Sequence, residues 1–311
     1  MEYKKIGKIG IAVILVSLLF YLADISEIVG NLQRADNRMY LIGAFLFFST
    51  YIPVSLRWRS LSKNVGYDLD FNTSLRIIAV SYSFNKIFPG NSGDVLRSKI
   101  FQRYKSIDNH GNILGIVTLE RFMDTVALGI IIGFSAVFVS SNYFSTISLL
   151  LVPFTLIAVG LGLGLLLNEK WMHKLVGLTP IGENFFSDVM EGYRSCSRKS
   201  LGINLIYSVL IWSLEAFAFY FFIKALTLDL TFWDGALVTS LMSLVSGLPI
   251  TPGGIGAVDA TGTGLLVAAG VAYSSALSLV ILQRSVGLVL MGLLGSIIYT
   301  VEETVGHKLS S

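Results

Sequence analysis

The chain has 311 residues, 53% of them hydrophobic and 14% charged, where a soluble domain carries about a quarter charged residues. So few charges cannot clothe a water-facing surface, and a net charge of +3 is too small to argue for a nucleic-acid partner. The one cysteine, Cys196, excludes an intrachain disulfide and a thiolate metal cluster. The expectation is an all-α polytopic membrane protein with about six full spans and two broken helices that enter the membrane without crossing it.

The first apolar run, Ile9–Ala23, follows Lys4, Lys5 and Lys8 and reads as an anchor, because no small-residue cleavage pattern precedes Asp24-Ile25-Ser26-Glu27. An outer loop to residue 38 comes next. Further spans are expected over Met39–Leu56, Asn112–Val139, Ile147–Leu167, Leu201–Ile223 and Ser274–Thr300. Phe71–Phe88 and Phe232–Leu248 are apolar too, but each runs into a break: Pro89-Gly90-Asn91-Ser92-Gly93-Asp94 in one, Pro249-Ile250-Thr251-Pro252-Gly253-Gly254-Ile255-Gly256 in the other. Proline removes a backbone donor and glycine loosens a helix, so such backbone survives at membrane depth only inside protein or beside a wet cavity. The alternative is a pair of loops outside the membrane. Residues 169–200 mix apolar and charged side chains, as in an amphipathic helix at the interface or a solvated hairpin. The three histidines, His110, His173 and His307, fall in loop-like stretches and read as solvated residues.

With the N-terminus in the cytoplasm, seventeen basic residues, Arg57 and Arg97 among them, fall on the cytoplasmic side, and Arg34, Arg38 and Lys224 outside. That asymmetry predicts the cell membrane with a cytoplasmic N-terminus. Lys86, Arg121 and Arg284 are left at membrane depth.

The two breaks share a P-G-x-x-G pattern 163 residues apart, from Pro89 to Pro252. The same offset pairs Ser83 with Ser246, Arg121 with Arg284 and Gly129 with Gly292, without a gap. An internal duplication is expected, residues 39–145 forming one repeat and 201–300 the other. Residues 1–38 form the anchor, 146–200 the connection and 301–311 a tail. Three crossings between the repeats would invert the second against the first, a transporter arrangement with its site between the halves.

An arginine at the bilayer centre costs about 2.5–3.5 kcal/mol on insertion scales, so each buried guanidinium needs a partner. Glu120 and Asp124 flank Arg121, and Asp124 lies one turn on. Arg284 follows Gln283 and has no acid within a turn, which leaves Glu215, Asp259 or a bound anion. The glycine turns leading into Asp94–Phe101 and Val258–Ala269 would offer free N–H groups to a phosphate, although no G-K-[ST] follows and neither is a P-loop.

Asn85-Lys86-Ile87-Phe88-Pro89-Gly90, Gly93-Asp94-Val95-Leu96-Arg97, Glu120-Arg121 with Asp124, and Thr251-Pro252-Gly253-Gly254-Ile255-Gly256 together resemble the membrane region of the lysylphosphatidylglycerol synthase/flippase family. That region also occurs alone and in archaeal glycosyltransferases, and the resemblance covers Met39 to Thr300. It implies translocation of an aminoacylated phospholipid, or of a sugar carried on a lipid or polyprenyl phosphate. A separate glycosyltransferase or synthase would be the partner. Asp259 stands where the family is expected to carry glutamate, with the charge retained. The expected substrate-binding set is therefore Asn85, Lys86, Pro89, Gly90, Gly93, Asp94, Arg97, Glu120, Arg121, Asp124, Thr251, Pro252, Gly253, Gly254, Gly256, Asp259, Gln283 and Arg284. The leading expectation is a flippase for a lipid with an anionic phosphate head group, without cofactor, metal or catalytic residue. The competing ones are a membrane-embedded lipid transferase or phosphatase and, more distantly, a channel or scaffold.

Overall fold

The computed structural model describes residues 2–87, 93–94, 96–97, 110–139, 142–168, 170–171, 183–248 and 250–290, and every regular element among them is helical. Helix α1 (Glu2–Tyr21) ends two residues short of the expected Ala23 because Asp24 starts a new helix, its carboxylate accepting from the N–H groups of Ser26 and Glu27. The expected outer loop is thus largely helix α2 (Ile25–Gln33), turned 82° from α1. Asp36 caps α3 (Asn37–Ser49) in the same way. At Thr50, whose hydroxyl donates to the Phe47 carbonyl at 2.6 Å, α3 passes into α4 (Tyr51–Asn64). Together they make a 28-residue span, Asn37–Asn64.

The first apolar segment before a break is α5 (Phe71–Ile87), started by Asp70. Then come α6 (His110–Phe138), α7 (Asn142–Leu167), α8 (Glu183–Ser195) and α9 (Arg198–Ala225). A capping box between Thr231 and Asp234 opens α10 (Phe232–Gly247). Beyond it lie a short 3₁₀ turn at Pro252–Gly254, α11 (Ala257–Ala268), α12 (Tyr273–Arg284) and a π-helical turn at Ser285–Leu290. The last expected span, Ser274–Thr300, is followed only to Leu290, and residues 95 and 98–101 of the expected Asp94–Phe101 helix lie outside the described residues.

Among the described residues, three helices are long and apolar enough to cross a membrane: Asn37–Asn64, Gly115–Phe138 and Arg198–Ala225. The bent α1–α2 pair meets the same test as one broken span. Val13, Ile14, Phe154, Leu156 and Ile157 all point outward, at 58–69% exposure, which suits lipid and not water. The chain is an all-α polytopic membrane protein.

Helix α9 packs against α3, α4, α6 and α10 and organises the core. Gly43 allows its closest approach to α3, since a Cβ there would meet Phe222 at 2.6 Å and the Ala218 carbonyl at 3.0 Å. Trp58, Ile77, Ile116, Met123, Phe222, Leu237 and Val280 join one continuous apolar core across these helices. Within residues 169–200, helix α8 packs on protein through Met190 and Tyr193, both buried, and Gly192 lets it reach the backbone of α6 at Gly115. Cys196, just beyond, is buried, and burial pushes its thiol up from the usual value.

The two broken segments meet. Helix α11 folds back on α10, and the Pro252–Gly254 turn between them packs against α5 from the first half.

Candidate functional site

Helix α6 carries Glu120 and Asp124 one turn apart, with Arg121 beside them. Opposite stands Arg57 of α4, which is fully buried. Its Nη2 donates to Glu120 at 2.8 Å, and its Nη1 donates to Asp124 and, at 2.6 Å, to the Ser208 hydroxyl of α9. Arg97, also fully buried, donates to Glu120 at 2.8 Å and to Asp94 at 3.1 Å, with its guanidinium 4.8 Å from the centre of the Trp58 ring. Arg121 grips Asp94 with two parallel bonds, Nε to Oδ2 at 3.0 Å and Nη2 to Oδ1 at 2.8 Å. The Tyr82 hydroxyl donates to Glu120 at 3.3 Å and the Trp212 indole to Asp124 at 3.1 Å. Three guanidinium groups thus balance three carboxylates in the core, each carboxylate accepting from several donors. That is the condition under which buried ions are tolerated.

Arg57 and Arg97, expected among the cytoplasmic charges, are both buried in protein. The expected ion pair of Arg121 with Asp124 forms, at 3.8 Å, although Asp124 is shared with Arg57. Arg57 was overlooked because it stands next to Arg59 and near Lys63, which reads as a membrane edge. The helical period separates them: Arg57 shares its face with Val54 and Leu61, both buried, whereas the Arg59 side chain is 45% exposed.

The segment after the first break is held by Asn85. Its Nδ2 donates to Asp94 at 3.0 Å and its Oδ1 accepts from the Gly93 N–H at 2.8 Å. Residue 93 must be glycine: a Cβ there would lie 1.8 Å from the Ser81 carbonyl oxygen. Pro89, Gly90 and the Lys86 side chain lie outside the described residues.

In the second half Arg284 donates from Nε to Asp259 at 2.6 Å, from Nη1 to the Gly253 carbonyl at 3.1 Å and from Nη2 to the Gly254 carbonyl at 2.9 Å. Of the partners considered for it, Asp259 forms an ion pair with it. Three N–H groups on this turn, expected to be free, are already engaged. Gly254, Ile255 and Gly256 donate to the Thr251 carbonyl, the Pro252 carbonyl and the Asp259 carboxylate. Gly253, Gly254 and Gly256 hold φ of +58°, +69° and +82°, the left-handed region that glycine occupies without strain. Arg284 therefore fastens the turn by its oxygens.

Between the two halves lies a cavity of about 540 Å³. Its walls include Tyr51, Arg57, Tyr82, Asn85, Arg121, Asp124 and Glu215, the last turn of α10 from Ser243 to Gly247, and Thr251, Gly253 and Gly254. Arg57 and Arg97 are sealed, but 37% of the Arg121 side chain stays exposed, against 9% for Asp94. A smaller pocket of about 60 Å³ holds Gln283 and Arg284, and it shares Phe47, Glu215, Ser243 and Ser246 with the larger one. Of the expected set, the structure brings Asn85, Arg121, Asp124, Thr251, Gly253 and Gly254 to the large cavity and Gln283 and Arg284 to the small one. Asp94, Arg97 and Glu120 stand behind the wall. Gly256 and Pro252 shape the turn without lining either cavity, Gly256 lying against Leu15 of α1.

Among the described residues no three histidine, cysteine, aspartate or glutamate side chains converge as a metal site. Asp68 and Asp70, a D-x-D run that sequence reading passed over, are occupied elsewhere. Asp68 is 3.8 Å from both Arg59 and Lys63. The Thr73 hydroxyl and N–H hold the Asp70 carboxyl below its usual value.

The chain is 23% identical to a UPF0104 membrane protein of Pyrococcus horikoshii, over 95% of this chain and 96% of that one. It is 26% identical to a UPF0104 membrane protein of Methanocaldococcus jannaschii, over 70% and 94%. To the glycosyltransferase AglD of Haloferax volcanii it is 20% identical, over 89% of this chain and 51% of that protein. The model of the lysylphosphatidylglycerol synthase TM region matches residues 5–295, nearly the whole chain, and the chain belongs to that family.

Proposed function

We propose that this protein moves a phosphate-bearing lipid between leaflets, holding the head group in the 540 Å³ cavity while the tails stay in lipid. The observation that carries this reading is the half-exposed Arg121 guanidinium. It is fixed by Asp94 on one edge, its Nη1 lies 3.8 Å from Asp124, and its side chain, 37% exposed, lines the cavity. A guanidinium held in place presents its remaining N–H groups to a phosphate oxygen with little ordering cost. Ser243, Ser246 and Thr125 add side-chain hydroxyls to the same walls. Crossing hydrocarbon costs a phosphate its hydration, and a polar cavity lowers that barrier.

The layout supports movement. Helices begin at Asn37, Phe71 and His110, and again 161, 161 and 163 residues later at Arg198, Phe232 and Tyr273. In each half an arginine is tied to an acid just after the glycine break: Arg121 to Asp94, Arg284 to Asp259. We read these as two copies of one unit in inverted orientation. Helix α11, with 12 residues, is about 18 Å long, too short for a bilayer core of about 30 Å, so α10 and α11 act as a re-entrant hairpin. Rocking of one copy against the other would expose the cavity on alternate sides.

The second reading is lipid modification, favoured by the likeness to a protein named a glycosyltransferase, of which the alignment spans 51%. Purified protein in liposomes decides between them. A fluorescent phosphatidylglycerol or polyprenyl-phosphate sugar should change leaflet with its mass unchanged. A lipid recovered hydrolysed or carrying a new group establishes the enzyme reading. Exchange equal to that of empty liposomes for every phosphate-bearing lipid tried removes the flippase reading.

A further inference from the structure

We propose that the small pocket beside Arg284 binds a monovalent cation, sodium or one of similar size, and that the bound cation strengthens capture of the anionic head group next door, a link that rests on the lipid-moving reading above. The pocket, of about 60 Å³, brings together Glu215 of α9, Ser243 and Ser246 of α10 and Gln283 of α12, and apolar side chains close much of the rest. The Oε1 of Gln283 points to a ligand: it is buried, and among the described residues no donor meets it. A buried amide oxygen without a partner has given up its hydration with no return, and such a group asks for an occupant.

These groups carry oxygens of the kind that a hard cation takes. Gln283 offers an amide carbonyl, Ser243 and Ser246 offer hydroxyls one turn apart, and Glu215 offers a carboxylate. A carboxylate has about four lone-pair positions, so a bond that Glu215 already makes leaves room for an ion. Ser243 and Ser246 belong to the last turn of α10, which stops at Gly247. The C-terminal end of a helix carries partial negative charge, and half-helix ends inside the membrane suit coupling cations. Glu215 is the eighteenth of 28 residues in α9, so the pocket lies far from both ends of that span. One carboxylate among the donors suits a single positive charge, whereas a divalent ion collects several. The volume admits a small ion and a few waters but no extended head group.

Arg284 lines the pocket too, but its charge is answered within the second break. Its Nε meets Asp259 at 2.6 Å, and its Nη1 and Nη2 meet the carbonyls of Gly253 and Gly254. The pocket shares Glu215, Ser243 and Ser246 with the large cavity, so a cation held here stands beside the head-group site. Opposite charges attract strongly at such range where water is scarce. Cation and phosphate must then favour each other's binding by the same factor.

Two measurements on the full chain in detergent test this. In the first, thermal unfolding is followed in sodium, potassium and choline chloride at one ionic strength, beside retention of radioactive sodium. The wild type should unfold at a higher temperature in sodium or potassium than in choline, and should retain close to one ion per chain. Gln283→Leu keeps the size of the side chain and removes the oxygen, so its midpoint should no longer depend on the cation, whatever that midpoint is. Gln283→Glu, which keeps an acceptor, should keep the response. A wild-type midpoint equal in all three salts, no retained ion, or a response surviving in Gln283→Leu overturns the site. In the second, titration with short-chain phosphatidylglycerol should be tighter by about fivefold or more in the favoured cation than in choline, and equal in both for Gln283→Leu. Cation binding with lipid affinity unchanged overturns the link between the two cavities. If no phosphate-bearing lipid binds, the lipid-moving reading fails, while the first measurement still decides the cation site.

Discussion

Arg121 holds Asp94 through two N–H···O bonds of 3.0 and 2.8 Å across 27 residues, tying α6 to the chain just beyond the first glycine break. Its counterpart Arg284 reaches Asp259 across 25 residues but spends its other two nitrogens on the carbonyls of the second break. The same device thus leaves one arginine partly open to the cavity and commits the other to the backbone.

The two arginines should therefore fail differently. Arg121→Ala should slow lipid movement by about ten- to a hundredfold, as expected for losing a hydrogen bond to a charged group. Arg121→Lys should recover only part, because an ammonium cannot grip Asp94 with a fork. Leaflet exchange read beside thermal unfolding checks this. Loss of stability with lipid affinity unchanged would make Arg121 purely structural.

Arg284→Ala should loosen the Pro252–Gly254 turn itself. Protease cleavage or hydrogen exchange at residues 250–256 should increase, with lipid movement lost because Thr251, Gly253 and Gly254 form part of the cavity wall. An unchanged exchange pattern in this segment would contradict the clamp.

Arg57→Ala should be strongly destabilising, since it removes the shortest ion-pair partner of Asp124 and one of the two arginines that hold Glu120. Removing one partner of a buried pair costs about 3–5 kcal/mol. Arg57→Ala combined with Glu120→Gln should be less destabilising than the sum of the two single changes, and denaturation of all three variants gives the coupling. Simple additivity would break the proposed network.

Gly93→Ala should prevent correct packing of the first break on α5, with a Cβ 1.8 Å from the Ser81 carbonyl. Gly30→Ala, where nothing lies within 4 Å, is the matched control and should leave the thermal midpoint nearly unchanged. Equal midpoints for both variants would contradict the close approach.

Topology can be read with single cysteines at Ser92 and Ile255 in a Cys196→Ala background. The inverted arrangement predicts labelling from opposite sides of the membrane. Labelling of both from one side would refute it.

The sequence by itself determined the membrane class and the helices α5, α10 and α11 that flank the breaks. Hydropathy, proline and glycine act locally, through backbone hydrogen bonding and the bilayer's intolerance of unpaired polar groups, so these features can be read residue by residue. Aspartates 24 and 36 were equally legible as helix starts, although α2 was passed over as loop. Only the tertiary structure decided which charges share a partner. Arg57 meets Glu120 across 63 residues and Asp124 across 67, and no local period links α4 to α6. It likewise turned Arg284 toward the turn's carbonyls and set Glu215 between two cavities. Burial makes a charge depend on its nearest neighbours in space, and those neighbours exist only once α4, α6, α9 and the broken segments have packed.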